Sequence, residues 1–141
     1  MGEARAVLDR VTEAVTSGDA DTLRSLYAED AAIETPDQGT IMGRDAIIGW
    51  LTAFPKAFPD MSWEPLHEHE AENTAIDEGY VVGTHTGPLE APTGESIPAT
   101  GKRVRVRSVD IATVDSGAVT SHRFYFDQMD FLGQLGLAPE G

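Results

Sequence analysis

Apolar positions recur along this chain at two different periods, and the change from one to the other divides it into two parts. Val7, Leu8, Val11 and Val15 fall at helical spacing and predict an amphipathic helix from about Glu3 to Thr16. Ser17-Gly18-Asp19 breaks it, and Asp19 or Asp21 can cap a second short helix carrying Leu23, Leu26 and Tyr27. Ala31-Ala32-Ile33-Glu34 reads as a short strand closed by Thr35-Pro36-Asp37-Gln38-Gly39. A third helix opens at Gly43-Arg44-Asp45 with Ile47, Trp50, Leu51 and Phe54 on one face, and Pro55 and Pro59 are expected to end it.

From Met61 onward the period is two. Strands are predicted over Met61–Ala71, Ala75–Thr86, Lys102–Val114 and Ala118–Phe126. A loop from Gly87 to Gly101, holding Pro88, Pro92 and Pro98, separates the middle two. Helices first and strands afterwards predict one α+β domain over residues 1–141, with helices on one face of a curved antiparallel sheet.

Composition removes several function classes. The 141 residues suit one domain with a real core, and the absence of cysteine excludes disulfides and thiolate metal sites. A formal charge of −14 disfavours nucleic acid and anionic membrane surfaces as partners. The Met1-Gly2-Glu3-Ala4-Arg5 start has no apolar core of a signal peptide, and no run is long enough to span a bilayer, so a cytoplasmic protein is expected. No phosphate loop, nucleophile elbow or dinucleotide fingerprint occurs. His67 and His69 share one strand face, but the Glu-rich run around them reads as a solvated surface, and no metal is expected.

The densest chemistry lies in Ser121-His122-Arg123-Phe124-Tyr125-Phe126-Asp127-Gln128, where an aromatic strand delivers a carboxylate. Burying such a group is costly unless it is hydrogen-bonded or protonated. Asp127 is therefore a candidate acid–base group, and equally a candidate N-cap for the short helix that follows. Asp110 interrupts an apolar strand, either as a pocket residue or as a buried partner of Arg105, Arg107 or Arg123. A two-residue turn at Ser116-Gly117 puts Asp110 opposite Arg123, on one face with Tyr125 and Asp127. A three-residue turn from Asp115 puts it opposite His122 instead. His122 is either a catalytic partner or a satisfied core or interface histidine, and a regular strand places it on the face away from Asp127. His85 ends a strand beside the Pro-rich loop and is a candidate for the pocket rim. Trp50, Phe54, Tyr27 and Tyr125 are candidates for lining a pocket, the tyrosines also as hydrogen-bond donors.

The element order resembles that of the SnoaL-like polyketide cyclases of the nuclear transport factor 2-like superfamily. The motifs that carry this are Gly83-Thr84-His85-Thr86-Gly87, Pro98-Ala99-Thr100-Gly101-Lys102 and Phe126-Asp127-Gln128…Gln134-Leu135-Gly136. The resemblance implies a cone-shaped fold around an apolar pocket, and gives Asp127 the family's acid–base role. Asp110 resembles the position of the protonated, oxyanion-binding Asp of ketosteroid isomerases. Thr35 and Val11 stand where those isomerases have a general-base Asp and an oxyanion-binding Tyr, so steroid isomerisation is not implied.

The expected function is cofactor-free acid–base chemistry, an aldol-type cyclisation or isomerisation, on a small apolar polyketide-like carbonyl compound. A non-catalytic small-molecule-binding dimer and a cofactor-free hydroxylase or epoxide hydrolase are the alternatives. Apolar residues at both parities in the last two strands lead to the expectation of a homodimer formed through the outer face of the sheet.

Overall fold

The computed structural model describes residues 2–90 and 94–137. Helix α1 (Glu3–Ser17) buries Ala4, Val7, Leu8, Val11 and Ala14 and stops at Gly18, whose φ of 70° suits a residue without a Cβ. Asp19 caps α2 (Ala20–Leu26), accepting hydrogen bonds from the amide and the hydroxyl of Thr22. Tyr27 does not end that helix as expected. Its φ and ψ of −108° and 138° start strand β1 (Tyr27–Thr35), because extended backbone turns its ring into the core. β1 returns through a tight turn as β2 (Gly39–Met42) and leads into α3 (Arg44–Ala57). Pro55 does not end α3, which runs on to Ala57 and buries Ile47, Ile48 and Leu51.

Strands β3 (Ser62–Ala71), β4 (Thr74–Thr84), β7 (Arg103–Asp115) and β8 (Ala118–Phe126) follow the predicted spans closely. Within the Pro-rich loop, β5 (Leu89–Glu90) and β6 (Ser96–Ile97) form a small separate ribbon, and Pro92 lies outside the described residues. The main sheet has the order β2-β1-β8-β7-β4-β3. All its neighbours are antiparallel except β1 and β8, which run parallel. The chain closes with α4 (Gln128–Gln134), whose Gln134 side chain bridges to the backbone of Arg105 at both its amide and its carbonyl. Helices α1 and α3 cover the inner face of the sheet and create the main core with Tyr27, Ile33, Ala112 and Val119. No helix among the described residues is long and apolar enough to cross a membrane.

One irregularity decides what faces inward. Asp115 pairs with Ala118, so the hairpin turn is the two-residue Ser116-Gly117, with φ of 52° and 79°. Regular pairing from there would set Asp110 against Arg123. Between the pairs Val114–Val119 and Thr113–Ser121, however, β8 carries one extra residue, Thr120. The shift brings Phe124 opposite Asp110 and His122 opposite Ala112. Because side chains alternate strictly along a strand, this bulge turns His122, Phe124 and Phe126 inward and sends Arg123 and Tyr125 outward. Neither turn considered from sequence anticipates that pairing.

Candidate functional site

The bulge assembles three sequence-distant side chains into one hydrogen-bonded line. His122 Nε2 lies 2.7 Å from Asp110 Oδ1, and His122 Nδ1 lies 2.8 Å from the Tyr27 hydroxyl. Tyr27 and His122 are buried, while Asp110 keeps 18% of its side chain accessible. Burial, then the charge of Asp110, pushes the Tyr27 phenol far above its ordinary value, so the phenol stays protonated. In the tautomer in which the phenol donates to Nδ1, Nε2 carries the imidazole proton and donates it to Asp110. A neutral imidazole thus satisfies the whole line, leaving the second oxygen of Asp110 for a ligand.

Asp110 and His122 lie on the wall of an inner chamber of about 80 Å³ enclosed by α1, α3 and the sheet. Its remaining wall is almost wholly apolar, including Leu8, Val11, Val15, Trp50, Phe54, Trp63 and Phe124. Gly79 leaves room for the Trp63 ring, since a Cβ would sit 2.8 Å from that ring and 2.3 Å from the Glu64 carbonyl oxygen. A larger cavity of about 630 Å³ adjoins it, sharing Trp50, Phe54, Met61, Val81 and Phe124. Trp50, Phe54 and Phe124 meet edge to face at that junction, with centroids 4.9–6.5 Å apart. The larger volume is in the range of small-molecule pockets.

Behind Asp110 stands a second carboxylate. Asp77 is its direct partner across β4 and β7, on the same face and 2% exposed. Two like charges so placed repel, and burial raises the Asp77 pKa while Arg5 opposes that rise. Arg5 Nη1 lies 2.6 Å from Asp77 Oδ1, and its other guanidinium nitrogens reach Asp9 and Glu68. This pair was not singled out from sequence. The available signal was Arg5 intruding on the apolar stripe of α1 beside Ala4 and Leu8, with Asp77 on the inward parity of β4.

The other sequence candidates are placed as follows. Asp127 is exposed and caps α4, its Oδ1 accepting from the Asp130 amide at 2.9 Å. It borders neither cavity, because β8 ends at Phe126 and the next residue turns into the helix. Tyr125 is 43% exposed on the outer face. Asp110 pairs with His122; Arg105 and Arg107 instead pair with Glu64 and Glu78 and stack over Tyr80. His85 is fully buried behind Phe58 rather than on the cavity wall, with Nδ1 accepting from the Thr100 amide. Burial holds its pKa below the usual histidine value. Trp50 and Phe54 line both cavities. His67 and His69 stand side by side on β3, their ring centroids 6.4 Å apart.

Several solved structures share this architecture. A candidate SnoaL-like polyketide cyclase from Jannaschia sp. CCS1 superposes with a TM-score of 0.83 at 17% identity, covering 98% of this chain and 94% of its own. IdmH of Streptomyces antibioticus, a candidate polyketide cyclase, gives 0.78 at 25% identity over 96% and 99%. An epoxide hydrolase from M. tuberculosis of the LEH-like type gives 0.71 at 20% identity over 95% and 90%. Comparison with curated proteins returns no match. The family model for the SnoaL-like domain matches residues 8–122, which run from the Leu8 wall of the inner chamber to the His122 that holds Asp110. On that match and this fold, the chain belongs to the SnoaL-like domain family, of the nuclear transport factor 2-like fold.

Proposed function

We propose that the protein is an enzyme performing cofactor-free acid–base chemistry on an apolar carbonyl compound, with Asp110 as the proton-transferring group. The observation that carries this reading is the Asp110–His122–Tyr27 line opening onto an apolar chamber. Asp110 takes a proton from a carbon next to the substrate carbonyl, and the resulting enolate spreads its charge over the substrate's own oxygens. The neutral His122 holds Asp110 in place through Nε2–H, and Tyr27 fixes the imidazole tautomer from the other side. Protonated Asp110 then returns the proton to carbon, giving isomerisation, or to the oxygen formed when the enolate attacks a second carbonyl, giving cyclisation. This reading moves the role expected of Asp127 to Asp110.

The relatives' names range from cyclase to epoxide hydrolase, and the chamber's own residues favour enolate chemistry. Hydrolysis would call for a water held by a carboxylate with Asn, Arg or a further Tyr, and among the described residues no such side chain lines the chamber. The single asparagine, Asn73, sits in the β3–β4 turn. The same reading has the protein as a homodimer, paired through the outward Val109, Ile111 and Tyr125.

The test is hydrogen–deuterium exchange at the carbons beside the carbonyl of 2-tetralone, followed by NMR in D2O. The wild type accelerates exchange, and Asp110→Asn slows the catalysed rate by roughly 10²–10⁴-fold with binding retained. Binding without any catalysed exchange would refute the enzyme reading and leave a small-molecule binder. Wild-type exchange in Asp110→Asn would remove Asp110 from the mechanism.

A further inference from the structure

Asp110 faces the smaller of two volumes that meet at an aromatic junction. It lines the inner chamber and not the larger cavity. At about 80 Å³, that chamber falls well below the roughly 300 Å³ at which small-molecule pockets begin. It therefore takes one end of a ligand and leaves the body to the adjoining cavity of about 630 Å³. The two volumes share Trp50, Phe54, Met61, Val81 and Phe124, all of them apolar. An ionised end passing these residues would shed its water and meet no polar partner among them. Phe124 sits closest to the chemistry, as the direct cross-strand partner of Asp110. Its ring packs against Trp50 and Phe54, with centroids at 5.9 and 6.5 Å, and against Phe126 at 5.5 Å. Trp50 and Phe54 in turn meet edge to face at 4.9 Å. Rings packed in this way resist displacement, because swinging one of them gives up its contacts with the others.

From this geometry we infer that Phe124, with Trp50 and Phe54, determines specificity. The substrate is an elongated apolar ketone whose reacting carbonyl lies at a slim, unbranched, uncharged end, while a bulkier aromatic body occupies the larger cavity. The inference rests on the proposed function in taking Asp110 as the group that the carbonyl end must reach. A branch beside the carbonyl meets the Phe124 ring before the reacting carbon reaches Asp110. A packed aromatic wall admits extra methyls only by leaving its rotamers. Girth in the body carries no such penalty, because Phe58, Phe126 and Phe131 line a volume of ordinary ligand size. One methylene in an apolar pocket is worth about 10–200-fold in kcat/KM, so a pair of methyls beside the carbonyl should be rejected by about 100-fold.

The experiment compares three ketones that carry the same acetyl methyl group: 4-phenyl-2-butanone, its 3,3-dimethyl derivative and 4-(2-naphthyl)-2-butanone. Deuterium exchange at that methyl is followed by NMR, and each rate is divided by the acetate-catalysed rate to remove intrinsic reactivity. The phenyl and naphthyl ketones should exchange within a few-fold of each other, and the dimethyl ketone about 100-fold more slowly. Phe124→Leu and Phe54→Leu keep the wall apolar while making room, and each should shrink that discrimination by about 10-fold. Because the ratio is taken within one protein sample, partial unfolding of a variant cancels. The chain's two tryptophans, Trp50 and Trp63, both line the chamber, so their fluorescence reports affinity independently of turnover. Affinity should show the same order. Selective binding without exchange of any ketone sinks the role of Asp110 and keeps that of the junction. Exchange at equal rates for linear and branched ketones sinks the junction's role and keeps that of Asp110. No binding of any probe, a preference for the dimethyl ketone, or a discrimination unchanged in both leucine variants would each overturn the inference.

Discussion

Removing the Arg5 guanidinium should be among the more damaging single changes available to this fold. Arg5 and Asp77 form an ion pair whose side chains are only 10% and 3% exposed, whereas Asp9 and Glu68 are half-exposed. Breaking a buried pair by deleting one partner costs about 3–5 kcal/mol, because the other charge is left unpaired. The two exposed contacts add at most about 1 kcal/mol each. Here the orphan is worse placed than usual, since Asp77 directly faces Asp110. For Arg5→Met we expect a loss of about 4 kcal/mol, which at this chain length lowers Tm by roughly 10–15 °C. Asp77→Asn should cost less, since Arg5 keeps Asp9 and Glu68. Arg5→Met/Asp77→Leu should recover most of the loss, because no charge is left stranded.

The pH dependence has a defined sign. Burial raises the folded pKa of Asp77 above its ordinary 3.8, with Arg5 opposing the rise. A carboxyl of that kind binds more protons folded than unfolded, so its contribution to stability falls as pH climbs from 3.8 through the folded value. Arg5→Met removes the opposing charge and widens that window upward. The Tm gap between wild type and Arg5→Met should therefore be smaller at pH 4.5 than at pH 7. Calorimetric melting at both values is the assay. A drop under about 3 °C at pH 7, equivalent to some 1 kcal/mol, or a double variant melting no higher than Arg5→Met, would refute the reasoning.

Two further outcomes can be measured. Asp127→Ala should cost about 1 kcal/mol and Asp127→Asn only a few tenths, as for an N-cap. Neither should change deuterium exchange on 2-tetralone, and loss of exchange in Asp127→Asn would return that residue to the mechanism. Light scattering at micromolar concentration should give a dimer that Ile111→Glu dissociates, and a wild-type monomer would refute pairing through the outer face.

Much of the fold was legible in the sequence because it depends on short-range regularities. The 3.6-residue spacing of Val7, Leu8 and Val11 and the period-two run through β7 and β8 name their elements without reference to any partner. The caps at Asp19 and Asp127 are equally local, since a side chain bonding an amide three residues on needs nothing from the rest of the chain. What tertiary structure alone decided is non-local. The parallel pairing of β1 with β8 brings Tyr27 to within reach of His122, 95 positions away. The direct opposition of Asp77 and Asp110 likewise depends on the register of β4 against β7. The sequence leaves open a two-residue turn at Ser116-Gly117 and a three-residue turn from Asp115, and even the two-residue turn that forms would, taken alone, put Arg123 opposite Asp110. A single bulged residue reverses that choice, because with a period of two one extra position exchanges the faces of everything beyond it. Sequence could therefore name His122, Asp110 and Tyr27 as candidates, but only the bulge at Thr120 and the β1–β8 crossover make them one site.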